Sequence, residues 1–105
     1  MKGRRLAIIN LGTKPEPMLG TLPEFTQPGD YCGPIMGYTG DKPAVFYLLP
    51  IARDIDVHGE ARSLHHVVSP PHTFTEEPDG TLTISASIKS PYWHGFLEKG
   101  VWRTA

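Results

Sequence analysis

Proline decides most of what this chain can fold into. It stands at positions 15, 17, 23, 28 and 34, and each ring fixes φ, removes a backbone donor and turns the preceding residue away from the α region. No helix of any length can run through such a stretch. Residues 13–40 therefore read as a long extended loop wrapped over the surface, with one turn near Leu22 to Phe25. Loops of this length are uncommon in compact domains and are often functional. Met18, Leu19, Leu22, Phe25, Tyr31, Ile35, Met36 and Tyr38 supply apolar side chains along it, which argues for packing rather than disorder.

The segments around that loop carry strand signals. RLAIIN, residues 5–10, predicts a first strand ended by Gly12. AVFYLLPI, residues 44–51, is a continuous apolar run of the kind buried on both faces of a sheet, stopped by Pro50. LHHVV, residues 64–68, predicts a short strand ended by Pro70 and Pro71. Asp79-Gly80 is a strong hairpin signal. Beyond it Leu82, Ile84, Ala86 and Ile88 alternate with Thr83, Ser85 and Ser87, which predicts one core face and one wet face. A last hairpin is expected over PYWHGFLEKGVW, with strands 92–97 and 101–104 joined through Glu98, Lys99 and Gly100. Alternation puts Tyr92, His94 and Phe96 on one face and Trp93 and Leu97 on the other, with Gly95 leaving room. His94, flanked by aromatics, is expected to be packed and hydrogen-bonded.

No window shows a sustained helical period or a repeat. The fold expected is all-β or β-dominated: a sheet, sandwich or partly open barrel of roughly six strands, with residues 1–105 as a single domain. Apolar residues make up 39% and charged residues 20%, below the usual averages of about 45–50% and about 25%, as a loop-rich β chain requires.

Charge narrows the partners. The formal net charge is −1, so no global field draws in nucleic acid or anionic lipid. Lys2, Arg4 and Arg5 read as a solvated, partly frayed end. Cys32 is the only cysteine, which excludes an intramolecular disulfide scaffold. LAIINLG is too quickly polar for a signal segment, and no run nears the ~18–20 apolar residues of a membrane span. A cytoplasmic protein is expected.

Potential chemistry concentrates in the histidines at 58, 65, 66, 72 and 94. His65 and His66 are adjacent, so a strand points them to opposite faces. His66 and His72 straddle the double proline and would have to converge with Cys32 and His94 to hold zinc, which needs three or four ligands at ~2.0–2.3 Å. The spacing matches no paired C-x-x-C pattern, and ordinary strand histidines explain it as well. Cys32 could pair with a histidine as a nucleophile, but in DYCGP the following Gly33 and Pro34 predict an exposed turn rather than a thiol-activating helix N-terminus, and a lone cysteine is more often a small apolar filler. No phosphate-binding or dinucleotide glycine motif is present. Trp93, Phe96 and Trp102 have the ring faces to stack on bases but no basic groove beside them; core filling and a recognition patch fit better.

Residues 79–102, DGTLTISASIKSPYWHGFLEKGVW, resemble a family of small bacteriophage and prophage proteins of unknown function, some carrying the misleading label "ammonia monooxygenase". The family has an L-T-hydrophobic-S-P-S strand, a Cys-His-(Ser/Gly)-Phe-hydrophobic segment and an x-x-G-hydrophobic hairpin end. Here these correspond to Leu82 to Ser87, to Trp93-His94-Gly95-Phe96-Leu97, and to Gly100-Val101-Trp102. Relatives carry a C-x-x-C-G element that looks like half of a zinc site; this chain has Asp30-Tyr31-Cys32-Gly33, and Trp93 stands where relatives place the second segment's cysteine. The resemblance implies a β-rich fold, a phage or prophage setting and action on host machinery, including defence systems.

The leading expectation is a phage- or prophage-encoded accessory protein that binds a host protein, as a host-defence inhibitor or similar factor, without enzymatic activity or cofactor. Its contact residues would be Tyr31, Tyr38, Tyr92, Trp93 and Trp102. A second reading is a zinc-binding protein or metal-dependent hydrolase using Cys32, His66, His72 and His94. A third is a homo-oligomeric structural or virion-associated component. Neither nucleic acid nor a membrane is expected as a partner.

Overall fold

The run from Ala44 to Leu49 is buried at every position, and the molecule is built around it. The structure is a computed structural model, and it describes residues 1–7, 9–10, 20–55, 58 and 63–105. The strands in chain order are β1 (Ile9–Asn10), β2 (Gly20–Thr21), β3 (Tyr31–Thr39), β4 (Lys42–Tyr47), β5 (His65–Val68), β6 (Thr73–Glu76), β7 (Leu82–Lys89), β8 (His94–Glu98) and β9 (Val101–Thr104). A 3-10 turn at Ala52–Asp54 is the helical element among the described residues. All strand pairs are antiparallel: β1 with β2, a three-stranded sheet β3-β4-β5, and a four-stranded sheet β6-β7-β8-β9. The sheets are open and stacked, not closed into a barrel.

The alternation of β4 sorts its side chains between two cores. Val45, Tyr47 and Leu49 join Tyr31, Leu82, Ile84, Ile88, Leu97 and Trp102 between the two larger sheets. Ala44, Phe46 and Leu48 face the other way, onto Phe25, Cys32 and Ile35, with Leu6, Leu22 and Ile55 packed alongside. Full burial of an aliphatic side chain of this size gains about 1.5–3 kcal/mol, so two covered faces explain an apolar run without alternation.

Several expectations needed correction. Residues 13–19 lie outside the described residues, and the long loop expected over residues 13–40 is interrupted by β2 at Gly20–Thr21 and by the nine-residue strand Tyr31–Thr39. Pro34 is tolerated there because β3 is an outer strand and the ladder shifts register between Cys32 and Ile35, where a missing N–H costs least. The turn expected near Leu22 to Phe25 falls instead at residues 27–29, where the Asp30 N–H donates to Gln27 O at 3.1 Å.

Residues 1–6 are not frayed. Lys2 bridges Val101, the Gly3 N–H donates to Gly100 O at 2.8 Å and the Trp102 N–H to Met1 O at 2.7 Å, so this segment caps the edge of β9. It then crosses to the other sheet: Arg5 bridges Tyr31 in parallel, and the Leu6 N–H donates to Tyr31 O at 2.8 Å. Bare sheet edges invite unwanted pairing, and one short segment covers two of them. Of the strand expected over residues 5–10, Ile9–Asn10 form β1 and residue 8 lies outside the described residues. The Arg4 guanidinium donates from Nε (3.1 Å) and Nη2 (2.8 Å) to the fully buried Asp30 carboxylate, which also accepts the Thr26 and Gln27 N–H groups. A buried carboxylate needs that many donors.

Ala86 is exposed rather than inward, with φ +67°. β7 advances from Ile84 to Ile88 while β8 moves only from Leu97 to Gly95. The extra residues form a bulge that keeps the alternation in step, so Ile88 returns to the core.

Candidate interaction site

The opening aromatic stretch of the last hairpin divides in two: part of it is interior and part is surface. After β7, Ser90 and Pro91 supply turn chemistry. The Ser90 hydroxyl accepts the Trp93 N–H at 3.1 Å and the Tyr92 N–H at 3.3 Å, and the Ser90 N–H donates to Trp93 O at 2.9 Å. The turn so closed holds Tyr92 out in solvent, 59% exposed. Arg53, from the 3-10 turn that follows β4, lays its guanidinium over that ring, with Cζ 3.3 Å from the centroid. Cation–π contact of this kind favours arginine over the face of an aromatic ring.

Trp93 is half-buried beside it. Its ring meets Trp102 edge-on, centroids 5.6 Å apart at 80°, and its Nε1–H donates to Thr104 Oγ1 at 3.3 Å. Gly95 makes the space, as expected: a Cβ there would lie 2.5 Å from the Trp93 ring. Trp102 is the anchor beneath. It is buried, its Nε1–H donates to Gly29 O at 2.8 Å, and it touches Tyr47 (5.5 Å) and Tyr31 (6.5 Å). Gly29 has φ +82°, and a Cβ there would press within 2.9 Å of the indole. Tyr47 in turn stacks on His65 at 5.7 Å. Burial pushes the Tyr47 phenol up to about 12; it also raises that of Tyr31, with the Leu82 main chain and the Arg5 charge pulling the other way.

The five residues proposed as contacts thus separate. Tyr31 and Trp102 lie in the core between the sheets. Tyr92 and Trp93 stand together at the surface. Tyr38 falls on β3, and its side chain lies outside the described residues. Arg53 was not singled out by sequence reasoning; it sits in the polar segment after β4, and nothing local ties it to Tyr92.

The four residues of the zinc reading are dispersed. Cys32 and His66 both lie opposite Phe46, on its two neighbouring strands, with Cys32 fully buried and His66 exposed. His72 follows β5, its Nε2 3.2 Å from Ser87 O and its buried Nδ1 without a hydrogen-bond partner among the described residues. His94 is exposed on β8, tilted against Phe96 at 6.5 Å, and not packed as alternation with aromatics had implied. Among the described residues no three His, Cys, Asp or Glu side chains gather where a metal ion would sit. Burial raises the Cys32 thiol above its ordinary value, the Arg5 charge offsetting only part of this, so the nucleophilic thiolate is disfavoured at neutral pH.

Among the described residues, two clefts flank the sheets. One, of about 440 Å³, is lined by Arg5, Leu6, Gly33, Pro34, Glu76 and Gly80. Its one guanidinium is spent within the fold: Arg5 bonds Glu76 (2.6 Å), Gly33 O (2.8 Å) and Gly80 O (2.9 Å). The other, of about 510 Å³, lies on the outer face of the four-stranded sheet around Thr83, Glu98, Lys99, Val101 and Arg103, and there Arg103 pairs with Glu98. No helix among the described residues is long and apolar enough to cross a membrane. No family model, curated protein or solved structure matches the chain.

Proposed function

We propose that this chain is a non-enzymatic binding protein that docks on another protein through the turn at residues 90–93 and the neighbouring Arg53. The observation that carries this is the exposed Tyr92 ring held under the Arg53 guanidinium at 3.3 Å, beside a Trp93 braced edge-on against buried Trp102. Tyrosine, tryptophan and arginine are the side chains that dominate binding energy at protein interfaces. Here they are already ordered by Ser90, Thr104 and Trp102, so little conformational entropy is lost on docking. The resemblance of residues 79–102 to phage and prophage proteins supports a host protein as the partner and inhibition of a host defence as the task.

Affinity capture from infected host cells tests the reading, using the parent protein and Tyr92→Ala as paired baits. The expected result is a stoichiometric protein retained by the parent and lost with Tyr92→Ala, at an unchanged melting temperature. A parent bait that retains no stoichiometric protein, or retains the same one after the substitution, overturns it.

A further inference from the structure

The arginines of this fold point to the chemistry of the partner. Four are described, and three of them hold a carboxylate within the chain: Arg4 holds Asp30, Arg5 holds Glu76 and Arg103 holds Glu98. Arg53 holds the ring of Tyr92 instead, and among the described residues no carboxylate is paired with it. Arg103 makes the comparison sharp. Its guanidinium also lies over an aromatic ring, 4.6 Å from the centroid of Phe96, and its Nη2 donates to the Glu98 carboxylate. Arg53 over Tyr92 is the same arrangement without the acid. A guanidinium with one face on a ring offers its donors at the planar edge, in the fork that accepts a carboxylate through two parallel hydrogen bonds.

A second cationic side chain, Lys89, lies opposite His94 across β7 and β8, at the base of the turn that presents Tyr92 and Trp93, and both residues are exposed. We propose that this turn receives an acidic segment of the partner protein, with a carboxylate in the fork of Arg53 and an apolar or aromatic side chain against Trp93. The inference rests on the docking reading above and specifies its partner. A polypeptide is favoured over a nucleic acid because the formal net charge is −1 and Arg4, Arg5 and Arg103 are already paired with carboxylates within the chain, whereas a nucleic-acid strand engages a continuous basic track.

Selection from a random-peptide library on the immobilised protein tests this, followed by affinity measurement on the peptides recovered. The expected peptides combine Asp or Glu with a neighbouring aromatic or leucine and bind more weakly as salt rises. Replacing their acids by Asn or Gln, or Arg53→Ala in the protein, is expected to weaken binding about tenfold or more. Arg53→Lys, which keeps charge but not the fork, is expected to restore only part of it. Because Arg53 is exposed, an unchanged melting curve for each variant establishes that the fold is intact. Neutral or basic peptides, peptides bound equally well by Arg53→Ala, or displacement of the peptides by a single-stranded oligonucleotide of higher affinity would overturn the acidic-partner inference and leave docking standing. Recovery of no peptide above background, with no partner captured from cells, overturns both.

Discussion

Trp102 and Tyr92 lie on one hairpin and its entry turn, yet the molecule uses them in opposite ways. Around Trp102 the aromatic residues face inward: Tyr31, Tyr47 and Trp102 fill the space between two sheets, with the indole N–H committed to Gly29 O. Around Tyr92 they face outward, positioned by a serine-closed turn and an arginine. Trp93 joins the two, half-buried and in contact with Trp102. Residue type is nearly the same in both regions; what differs is the register that decides which face each ring lands on. The interior set serves stability, and the surface set, in our account, serves binding.

That division is most open to attack at the interior. Trp102→Ala is expected to cost about 3–5 kcal/mol, the range for truncating a large buried aromatic, and urea unfolding would measure it; a loss below about 1 kcal/mol would mean the interior ring is not an anchor. Alkaline titration probes the same region. The Tyr47 phenol is raised to about 12 from an unfolded value near 10, so the folded state binds the proton more tightly than the unfolded one. The resulting stability is fully present below pH ~10 and is lost as pH climbs towards ~12, a fall on the order of 2–3 kcal/mol. Tyr47→Phe should flatten that part of the stability profile.

Gly95→Ala addresses the junction. The added methyl would lie 2.5 Å from the Trp93 ring and closer still to Arg103 O, so a loss of about 1–3 kcal/mol is expected from overpacking, together with a changed Trp93 fluorescence. An unperturbed Trp93 signal would detach the surface pair from the core. The smallest effect belongs to the surface itself. Tyr92→Ala should change stability by no more than about 0.5 kcal/mol while abolishing partner capture, and a large loss of stability there would erase the distinction between the two regions.

Much of this architecture was legible in the sequence. The apolar run at 44–51 announced a strand covered on both faces, and the turns at Asp79-Gly80 and Lys99-Gly100 fell where turn chemistry put them, although the strand expected over 92–97 runs from His94 to Glu98. What escaped was decided by long-range pairing. Pro34 argued against a strand, and only its place on an outer, register-shifted strand makes β3 acceptable. Strict alternation placed Ala86 inside because a bulge that keeps parity leaves no trace in the pattern. Lys2, Arg4 and Arg5 looked solvated because no local signal shows that two sheet edges await them. The interior place of Trp102 was within reach: a turn at Lys99 and Gly100 sets it opposite Leu97, on the core face. The contact between Arg53 and Tyr92 was not, since it joins distant segments through the fold alone.

The central claim is that the molecule meets its partner at the turn carrying Tyr92 and Trp93. Hydrogen exchange on the captured complex, compared with the free protein, tests it most directly. The account predicts added protection at residues 52–54 and 89–94, with the amides of β4 and of the outer sheet around Thr83 and Val101 unchanged. Protection confined to that outer sheet face, or to the edges of β5 and β6, with residues 89–94 exchanging as before, would contradict it.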